Sequence, residues 1–375
     1  SIFFLAPLLV RTGRAEISMP GGCRLGTRPI DIHLAGLEAM GVQIYRAGET
    51  LLLEAPEAGL HGTEFTLRLP SVGATETLLM AAAGARGDTI LHGVALEPEI
   101  EDLISLLAAM GTEIEGRGTS HLRVAGGAKL HGAQGAVCPD RIVAATVLCA
   151  VAGCGGEITL EDCAPRHLQA VVPLLRTLGC EVQDAEQTPG ATFVHNTAKL
   201  QLKSLHACSE GRRNALGKLQ TGVYPALPTD VASLLAAATL RARGESLLHD
   251  TIFDNRFACA EGFAALGAQV RREGASLRVC GVPVLQGAML GAQDLRGGAA
   301  LVLAALQAQG DSTLTGIENI CRGYENIVQL FAQLGAQIEW HTAEKETVRP
   351  PQAAFAADAS DAEGRYADQR IPCFA

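Results

Sequence analysis

The stretch Leu103-Ile104-Ser105-Leu106-Leu107-Ala108-Ala109-Met110-Gly111-Thr112-Glu113-Ile114 contains the pattern that decides the fold. Apolar residues at helical spacing lead to a Leu or Met, a glycine follows at once, and a β-branched residue stands three positions later. A glycine in this place is typical of a helix C-terminus, and the β-branched residue favours a strand. The stretch therefore predicts a helix that ends at Gly111 and passes directly into a strand.

The same pattern recurs along the chain, with its glycines at Gly41, Gly111, Gly179, Gly267 and Gly335. Successive glycines are 70, 68, 88 and 68 residues apart. A period of about 70 residues is too long for a solenoid repeat and suits a small βαβ-type subdomain that is used several times. The longer step predicts an insertion in the polar stretch 183–219.

Composition limits the class of protein. The chain has 375 residues, of which 48% are hydrophobic and only 4% aromatic, so about two domains with aliphatic cores and alternating helices and strands are expected. A net charge of −10 argues against nucleic acid or an anionic membrane as a partner. The apolar start at 2–10 is too short to span a bilayer and predicts a core helix.

The 11 cysteines form no C-x-x-C pair, and their number is odd. This pattern favours neither a zinc site nor a disulfide framework. We therefore expect a protein of the reducing cytoplasm.

A second marker opens the apolar helical runs about forty residues before the later glycines. It combines proline or an amide with a hydroxyl or an acid, at Pro70-Ser71, Pro139-Asp140, Pro228-Thr229-Asp230 and Gln293-Asp294. Helix N-capping explains these residue types at about 1 kcal/mol each. The alternative is that they line a binding site, and the sequence leaves both interpretations open.

Arginines form a third marker. Arg28, Arg166, Arg256 and Arg322 stand 11 to 13 residues before four of the five glycines, where each unit's second helix is expected to begin. A helix N-terminus favours anions, and a guanidinium adds bidentate contacts to phosphate or carboxylate. The pattern predicts a ligand with several negative charges.

Cys23 lies in the run Pro20-Gly21-Gly22-Cys23-Arg24, with Arg28 close by. The glycines give the loop backbone freedom, and nearby cations favour the thiolate. Cys23 is therefore a candidate nucleophile or proton donor, although most cysteines are simply small buried apolar residues.

Taken in order, these motifs resemble the UDP-N-acetylglucosamine 1-carboxyvinyltransferase family of enolpyruvyl transferases, in the EPSP synthase-like superfamily. The sister shikimate-pathway family shares the fold but lacks the cysteine loop and the Asn255-Arg256-Phe257 signature. The resemblance extends from Ser1 to about Trp340. It is carried by 20–23, 28–33, 70–76, 97–100, 139–142, 228–230, 251–257, 294–296 and 322–325.

The resemblance implies an α/β fold, an inside-out α/β prism of repeated subdomains in two domains, with the active site in the cleft between them. On this chain the first domain would cover 1–137 and be incomplete, and the second would cover 138–340. The tail 341–375, rich in Ala, Asp, Glu and Pro, is expected to be disordered.

The implied reaction transfers an enolpyruvyl group from phosphoenolpyruvate to the 3-hydroxyl of UDP-N-acetylglucosamine and releases phosphate, in cytoplasmic peptidoglycan precursor synthesis. These two small molecules are the implied partners, and neither a metal nor an organic cofactor is implied. Cys23 matches the proton donor that also forms a covalent adduct, and Asp230 matches the base. Arg28 and Arg322 match phosphoenolpyruvate contacts. Residues that match the positions holding the nucleotide sugar are Asp230 and Arg28, Pro29, Ile30, Asp31, Ile32, Ser71, Val72, Gly73 and Ile252. Residues that match the charged lining of the cleft are Arg256, Asp294 and Arg296.

Two function classes remain open at this point. Family members carry a lysine-asparagine pair and an arginine in a segment that would precede Ser1, and Val143 and Cys321 stand where acids are usual. The chain is therefore either the transferase or a truncated, inactive paralogue or gene fragment that at most binds a UDP-sugar. An in-frame upstream segment with the lysine-asparagine pair would favour the enzyme.

We predict that the epoxide phosphonate fosfomycin alkylates Cys23, because the arginines nearby favour its thiolate. Peptide mass spectrometry of the treated full-length protein should find the label on Cys23. A label on another cysteine, or on none, would overturn the assignment.

Overall fold

The protein was analysed as a computed structural model, which describes residues 2–18, 30–187, 198–204 and 214–341. Cys23, Arg28 and Pro29 lie outside these ranges, as does nearly all of the predicted tail. Two separate clusters of buried hydrophobic side chains organise the described residues. The N-terminal core collects buried residues between Leu5 and Val124, and the C-terminal core collects those between Ile142 and Phe331.

The N-terminal core is formed by two units of similar organisation. A 3-10 turn at Ile2–Phe4 precedes the first. The first unit comprises α1 Leu5–Thr12, β1 Arg14–Ser18, α2 Asp31–Ala39, β2 Gln43–Ala47 and β3 Thr50–Glu54. The second comprises β4 Glu64–Thr66, α3 Val72–Ala83, β5 Thr89–His92, α4 Pro98–Ala109, β6 Ile114–Glu115 and β7 His121–Val124.

Three further units form the C-terminal core. The third unit comprises α5 Arg141–Cys154, β8 Glu157–Cys163, a 3-10 turn Pro165–Leu168, α6 Val172–Thr177, β9 Cys180–Gln187 and β10 Ala198–Ser204. The fourth comprises β11 Gly217–Gln220, α7 Thr229–Thr239, β12 Glu245–His249, α8 Ala260–Ala265, β13 Gln269–Glu273 and β14 Ser276–Cys280. The fifth comprises β15 Leu285–Gln286, β16 Met289–Gly291, α9 Leu295–Ala305, β17 Ala308–Gln309, β18 Thr313–Thr315, a 3-10 turn Ile317–Asn319 and α10 Ile327–Gln333.

The order and direction of the strands are the same in the second and fourth units, and again in the first and third. The sheets β4-β5-β7-β6 and β11-β12-β14-β13 have the same order, in which the first pair is parallel and the other two are antiparallel. The sheets β1-β3-β2 and β8-β10-β9 are antiparallel throughout. This repetition bears out the period of about 70 residues. Within the longer step, β9 and β10 have 8 and 7 residues, against 5 each in their counterparts β2 and β3.

Helices, rather than sheets, occupy the centres of the cores. In the C-terminal core α5, α7 and α9 pack against one another, and α7 is buried from Val231 to Thr239 without interruption. A helix that is apolar on all sides has to be enclosed by other elements. The outer strands, such as β13, are correspondingly exposed along most of their length. Helices inside and sheets outside are the arrangement that the predicted inside-out fold requires.

The recurrent glycines end their helices as predicted. All five have φ between +85° and +107°. Beyond four of them the next amide bonds back to a carbonyl near the helix end, a Schellman-type closure, as from Val42 to Leu37 and from Ala268 to Phe263. A strand follows at four of the five glycines. After Gly335 no strand is assigned within the described residues, so the prediction was wrong at that position.

The helix-start markers have two different outcomes. Ser71, Asp140 and Asp294 cap α3, α5 and α9 by accepting from backbone amides, as capping predicts. At α7 the N-cap is Pro228, which supplies no side-chain bond, and the side chains of Thr229 and Asp230 have other partners. The apolar start of the chain forms α1, as predicted. None of the described helices is long and apolar enough to cross a membrane.

Gly316 and Gly310 provide a matched test of the packing. Both have left-handed φ, +74° and +79°, but a Cβ on Gly316 would lie 2.3 Å from the carbonyl oxygen of Ala292, whereas one on Gly310 would meet nothing within 4 Å. We predict that Gly310→Ala lowers the melting temperature by about 2–4 °C, the effect of about 1 kcal/mol of backbone strain. Gly316→Ala should lower it at least twice as far, because the Ala292 backbone must also move. Equal melting temperatures in a thermal unfolding experiment would contradict this packing.

Candidate active site

Asp230 lies in the first turn of α7, at the surface of the C-terminal core. Its side chain is 39% exposed, and its Oδ1 lies 3.3 Å from Nε of Arg296 and 3.8 Å from Nη2 of Arg256. Arg296 is 66 residues away along the chain and enters from α9. The fold thus places one accessible carboxylate between two guanidinium groups.

Arg256 is held almost completely inside the protein, with a side chain that is 2% exposed. Its Nε donates to Oγ1 of Thr229 at 2.9 Å, and its guanidinium carbon lies 4.8 Å from the centroid of the Phe253 ring. Its backbone carbonyl accepts from the hydroxyl of Ser233 in the middle of α7. These contacts fix the guanidinium beside Asp230.

Arg296 is anchored from a different direction. Its guanidinium carbon lies 5.4 Å from the ring centroid of Tyr324, whose hydroxyl is 2.7 Å from Oγ1 of Thr146. The position of Arg296 also depends on Asp294, which caps α9 by accepting from the amide of Gly297 at 2.8 Å. Burial raises the pKa of Asp294, while the Gly297 amide and Arg256 oppose that rise. Asp294 therefore joins the helix cap to the charged cluster.

Nη1 of both arginines is buried and has no hydrogen-bond partner among the residues that the structure describes. A buried donor that is left unsatisfied costs about 1–3 kcal/mol, and more when it is charged. Such donors are expected where a ligand supplies the missing acceptor. Chemically, the cluster offers cationic donors for an anion and a carboxylate able to accept a proton.

The other predicted contacts of this core occupy different environments. Ile252 is 45% exposed, and its amide donates to Oδ1 of Asp250 at 2.9 Å. Arg322 is exposed in the turn before α10, two residues before the buried Tyr324. The expectation that the recurrent arginines begin helices was wrong for the three that the structure describes. Arg256 and Arg322 lie in turns before α8 and α10, and Arg166 lies in a 3-10 turn. In each of these units the chain turns between a strand and the short second helix, and the arginine lies in that turn.

The N-terminal core brings together the predicted residues at the starts of α2 and α3. Ile30 precedes α2, and Ile32 is buried in the core at 7% exposure. Ser71 caps α3, and Val72 begins it. A Cβ on Gly73 would lie 3.1 Å from Nε2 of His33, so the absence of a side chain there allows α3 to approach α2 closely.

Asp31 points toward solvent rather than into the core. It forms an ion pair with Arg68 at 2.5 Å, with both side chains more than half exposed. The hydrogen bond from Arg68 lowers the pKa of Asp31. An exposed pair of this kind contributes little to stability, and Asp31 remains accessible to a ligand.

An ion pair links the two cores. Arg141, the first residue of α5, contacts Glu99 at the start of α4 at 2.9 Å, and its side chain is 10% exposed. Two further carboxylates lie near Glu99. Burial, together with the charges of Glu99 and Glu97, raises the pKa of Glu76 to about 7. Burial likewise raises the pKa of Glu97.

Sequence reasoning missed several residues that shape this site. Thr229, Asp250 and Tyr324 position the arginines, and Arg141 and Glu99 join the cores. Thr229 and Tyr324 lie inside the motifs 228–230 and 322–325. Their closeness along the sequence to the candidates Asp230 and Arg322 could therefore have indicated a role in the site. Asp250 directly precedes such a motif, but nothing in its neighbourhood indicates that it faces Thr229.

Comparisons with known proteins identify the family of this chain. A family model described as EPSP synthase (3-phosphoshikimate 1-carboxyvinyltransferase) matches residues 1–353. The chain belongs to the EPSP synthase family. This membership confirms that it is of the enolpyruvyl transferase kind, which acts on small-molecule substrates.

Two curated relatives are proteins named UDP-N-acetylglucosamine 1-carboxyvinyltransferase. The one from Finegoldia magna is 40% identical over 339 residues, which is 90% of this chain and 76% of the relative. The one from Symbiobacterium thermophilum, numbered 1, is 41% identical over 338 residues, which is 90% of this chain and 73% of the relative. The resemblance drawn from the motifs is thereby confirmed.

Solved structures confirm the fold. The enolpyruvyl transferase NikO from Streptomyces tendae has a TM-score of 0.74 and 24% identity, covering 90% of this chain and 76% of that chain. EPSP synthase from Acinetobacter baumannii has a TM-score of 0.69 and 20% identity, covering 91% and 78%. The predicted α/β class is the fold of these transferases.

The raised pKa of Glu76 predicts a pH-dependent stability. Between pH 4.5 and about 7 the folded protein retains a proton that the unfolded chain has lost, so this group makes stability fall as pH rises through that window. Glu76→Gln removes the charge at nearly constant shape. We expect it to raise the melting temperature relative to the parent at pH 8, with no difference below pH 4.5. Glu57→Gln, at an exposed carboxylate, is the control, and equal melting temperatures of parent and Glu76→Gln at pH 8 would contradict the prediction.

Proposed function

We propose that the protein transfers the enolpyruvyl group of phosphoenolpyruvate to the 3-hydroxyl of UDP-N-acetylglucosamine and releases phosphate. The observation that carries the proposal is the accessible carboxylate of Asp230 between Arg256 and Arg296, whose buried Nη1 atoms have no partner in the described part of the chain. Both curated relatives carry the name of this activity. They favour the transferase over an inactive paralogue.

The addition step requires two proton movements and one new carbon–oxygen bond. The sugar hydroxyl loses a proton to Asp230, its oxygen attacks the central carbon of phosphoenolpyruvate, and the methylene carbon gains a proton from Cys23. In the elimination step the bond from that central carbon to the phosphate oxygen breaks, a proton passes from the methyl group to water, and the double bond is restored. A correctly placed base and acid each contribute about 10²–10⁴-fold to such a step.

Charge complementarity supports the anionic donor substrate. Phosphoenolpyruvate carries a phosphate and a carboxylate, and Arg28, Arg256, Arg296 and Arg322 supply guanidinium groups for them. Preorganised cationic donors stabilise the charge that develops as phosphate leaves. Asp294 orders this side of the site through the cap of α9.

The nucleotide sugar would contact both halves of the molecule. The starts of α2 and α3 provide Pro29, Ile30, Asp31 and Ile32 and the segment 71–73, and the C-terminal half provides Asp230 and Ile252. We place the domain boundary between 137 and 138, because the two hydrophobic cores are separate on either side of it. The activity would serve as the first committed step of peptidoglycan precursor synthesis in the cytoplasm, and so cell-wall growth, shape and division.

The assignment of the base is testable by substitution. We expect Asp230→Ala in the full-length protein to abolish phosphate release from phosphoenolpyruvate in the presence of UDP-N-acetylglucosamine, because no proton acceptor would remain beside the sugar hydroxyl. Asp254→Ala, at an exposed aspartate of the same core, should leave release unchanged. Near-normal turnover by Asp230→Ala would overturn the role of Asp230.

A further inference from the structure

Asp250 is a buried carboxylate to which neither the motifs nor the relatives' names assign a role. It follows β12, and its side chain is 0% exposed. Oδ1 accepts from the amides of Ile252 at 2.9 Å and Phe253 at 2.7 Å, and Oδ2 accepts from the hydroxyl of Thr229 at 2.5 Å. Nε of Arg256 lies 3.9 Å from Oδ2. A buried charge is tolerated only with partners of this quality.

The directions of the hydrogen bonds through Thr229 are determined by chemistry. A guanidinium N–H can only donate, so Oγ1 of Thr229 accepts from Arg256. An ionised carboxylate can only accept, so the Thr229 hydroxyl donates to Asp250. By accepting the hydroxyl proton, Asp250 orients Thr229 so that a lone pair of Oγ1 accepts the hydrogen bond from Nε of Arg256.

This chain of contacts ends at the reacting groups. Arg256 presents Nη2 to Asp230, and its Nη1 has no partner within residues 2–18, 30–187, 198–204 and 214–341. We propose that Asp250 is a positioning residue that acts through Thr229 to hold the Arg256 guanidinium for the anionic substrate, an inference that rests on the proposed transferase function. Charged donors act in catalysis only when they are held in the productive geometry beforehand.

The competing explanation is that Asp250 only stabilises the local fold. The two explanations can be distinguished because the two carboxylate oxygens of Asp250 have different partners. Oδ1 closes the turn that carries Ile252, whereas Oδ2 supports Thr229 and Arg256. Thr229→Val removes only the second set of contacts, at nearly constant volume. Thr229→Ser keeps the hydroxyl and is the conservative rescue.

The experiment measures kcat and KM for phosphate release in Thr229→Val, Thr229→Ser and Asp250→Asn. We expect Thr229→Val to lower kcat by about 10- to 100-fold, the effect of losing a hydrogen bond to a charged group. The KM for UDP-N-acetylglucosamine should change little, because the Ile252 turn is intact. Thr229→Ser should recover most of the kcat. Asp250→Asn should lower kcat, since the amide cannot serve as an acceptor on both sides, and Asp254→Asn is the exposed control.

Wild-type kcat in Thr229→Val would overturn the proposal, as would a raised KM for the nucleotide sugar with unchanged kcat. Crystal structures of the Val and Ser variants give a readout that does not depend on turnover. We expect the Arg256 guanidinium to leave its place in Thr229→Val and to keep it in Thr229→Ser. An unmoved Arg256 in the Val variant would overturn the positioning role even if the transferase is active. Absence of phosphate release by the parent protein would refute the proposed function alone.

Discussion

Burial of most of the surface of the first helices of the repeats is the constraint on which the site depends. Since α3, α5, α7 and α9 are covered on most sides, their N-terminal amides need acceptors from their own chain. Ser71, Asp140 and Asp294 supply these acceptors at three helices. At α7 no side chain performs that task, and Thr229 and Asp230 are available for Arg256 and Arg296 instead. The proposed base therefore lies in the first turn of a helix whose N-cap, Pro228, has no side-chain acceptor.

Each buried charged group of the cluster has partners, but not every hydrogen-bond donor of the two arginines has an acceptor among the described residues. Arg256 contacts Asp250, Asp230 and Thr229, and Arg296 contacts Asp230 and Tyr324. A buried guanidinium that lost these partners would carry a desolvation penalty of several kcal/mol. The Nη1 donors of both arginines are the groups of this cluster for which no described residue supplies an acceptor.

The repeat organisation could be predicted from the sequence because it depends on local chemistry. A glycine such as Gly111 ends its helix through its own backbone, and Ser71 caps the helix that it begins. The environment of Arg256 could not be predicted, because its partner Thr229 is 27 residues away along the chain. Asp230 in turn contacts Arg296, which is 66 residues from it. Thr146 and Tyr324, 178 residues apart, show the same difficulty. Periodicity identifies which face of a helix is buried, but it does not identify which distant side chain meets it.

The common order of the sheets β4-β5-β7-β6 and β11-β12-β14-β13 means that α3 and α7 begin at equivalent places in their units. Each helix connects the first strand of its sheet to the strand that pairs parallel with it. Ser71 caps α3, whereas no side chain caps α7. The same place in the fold therefore supports a helix end in one unit and supplies polar side chains to the charged cluster in the other.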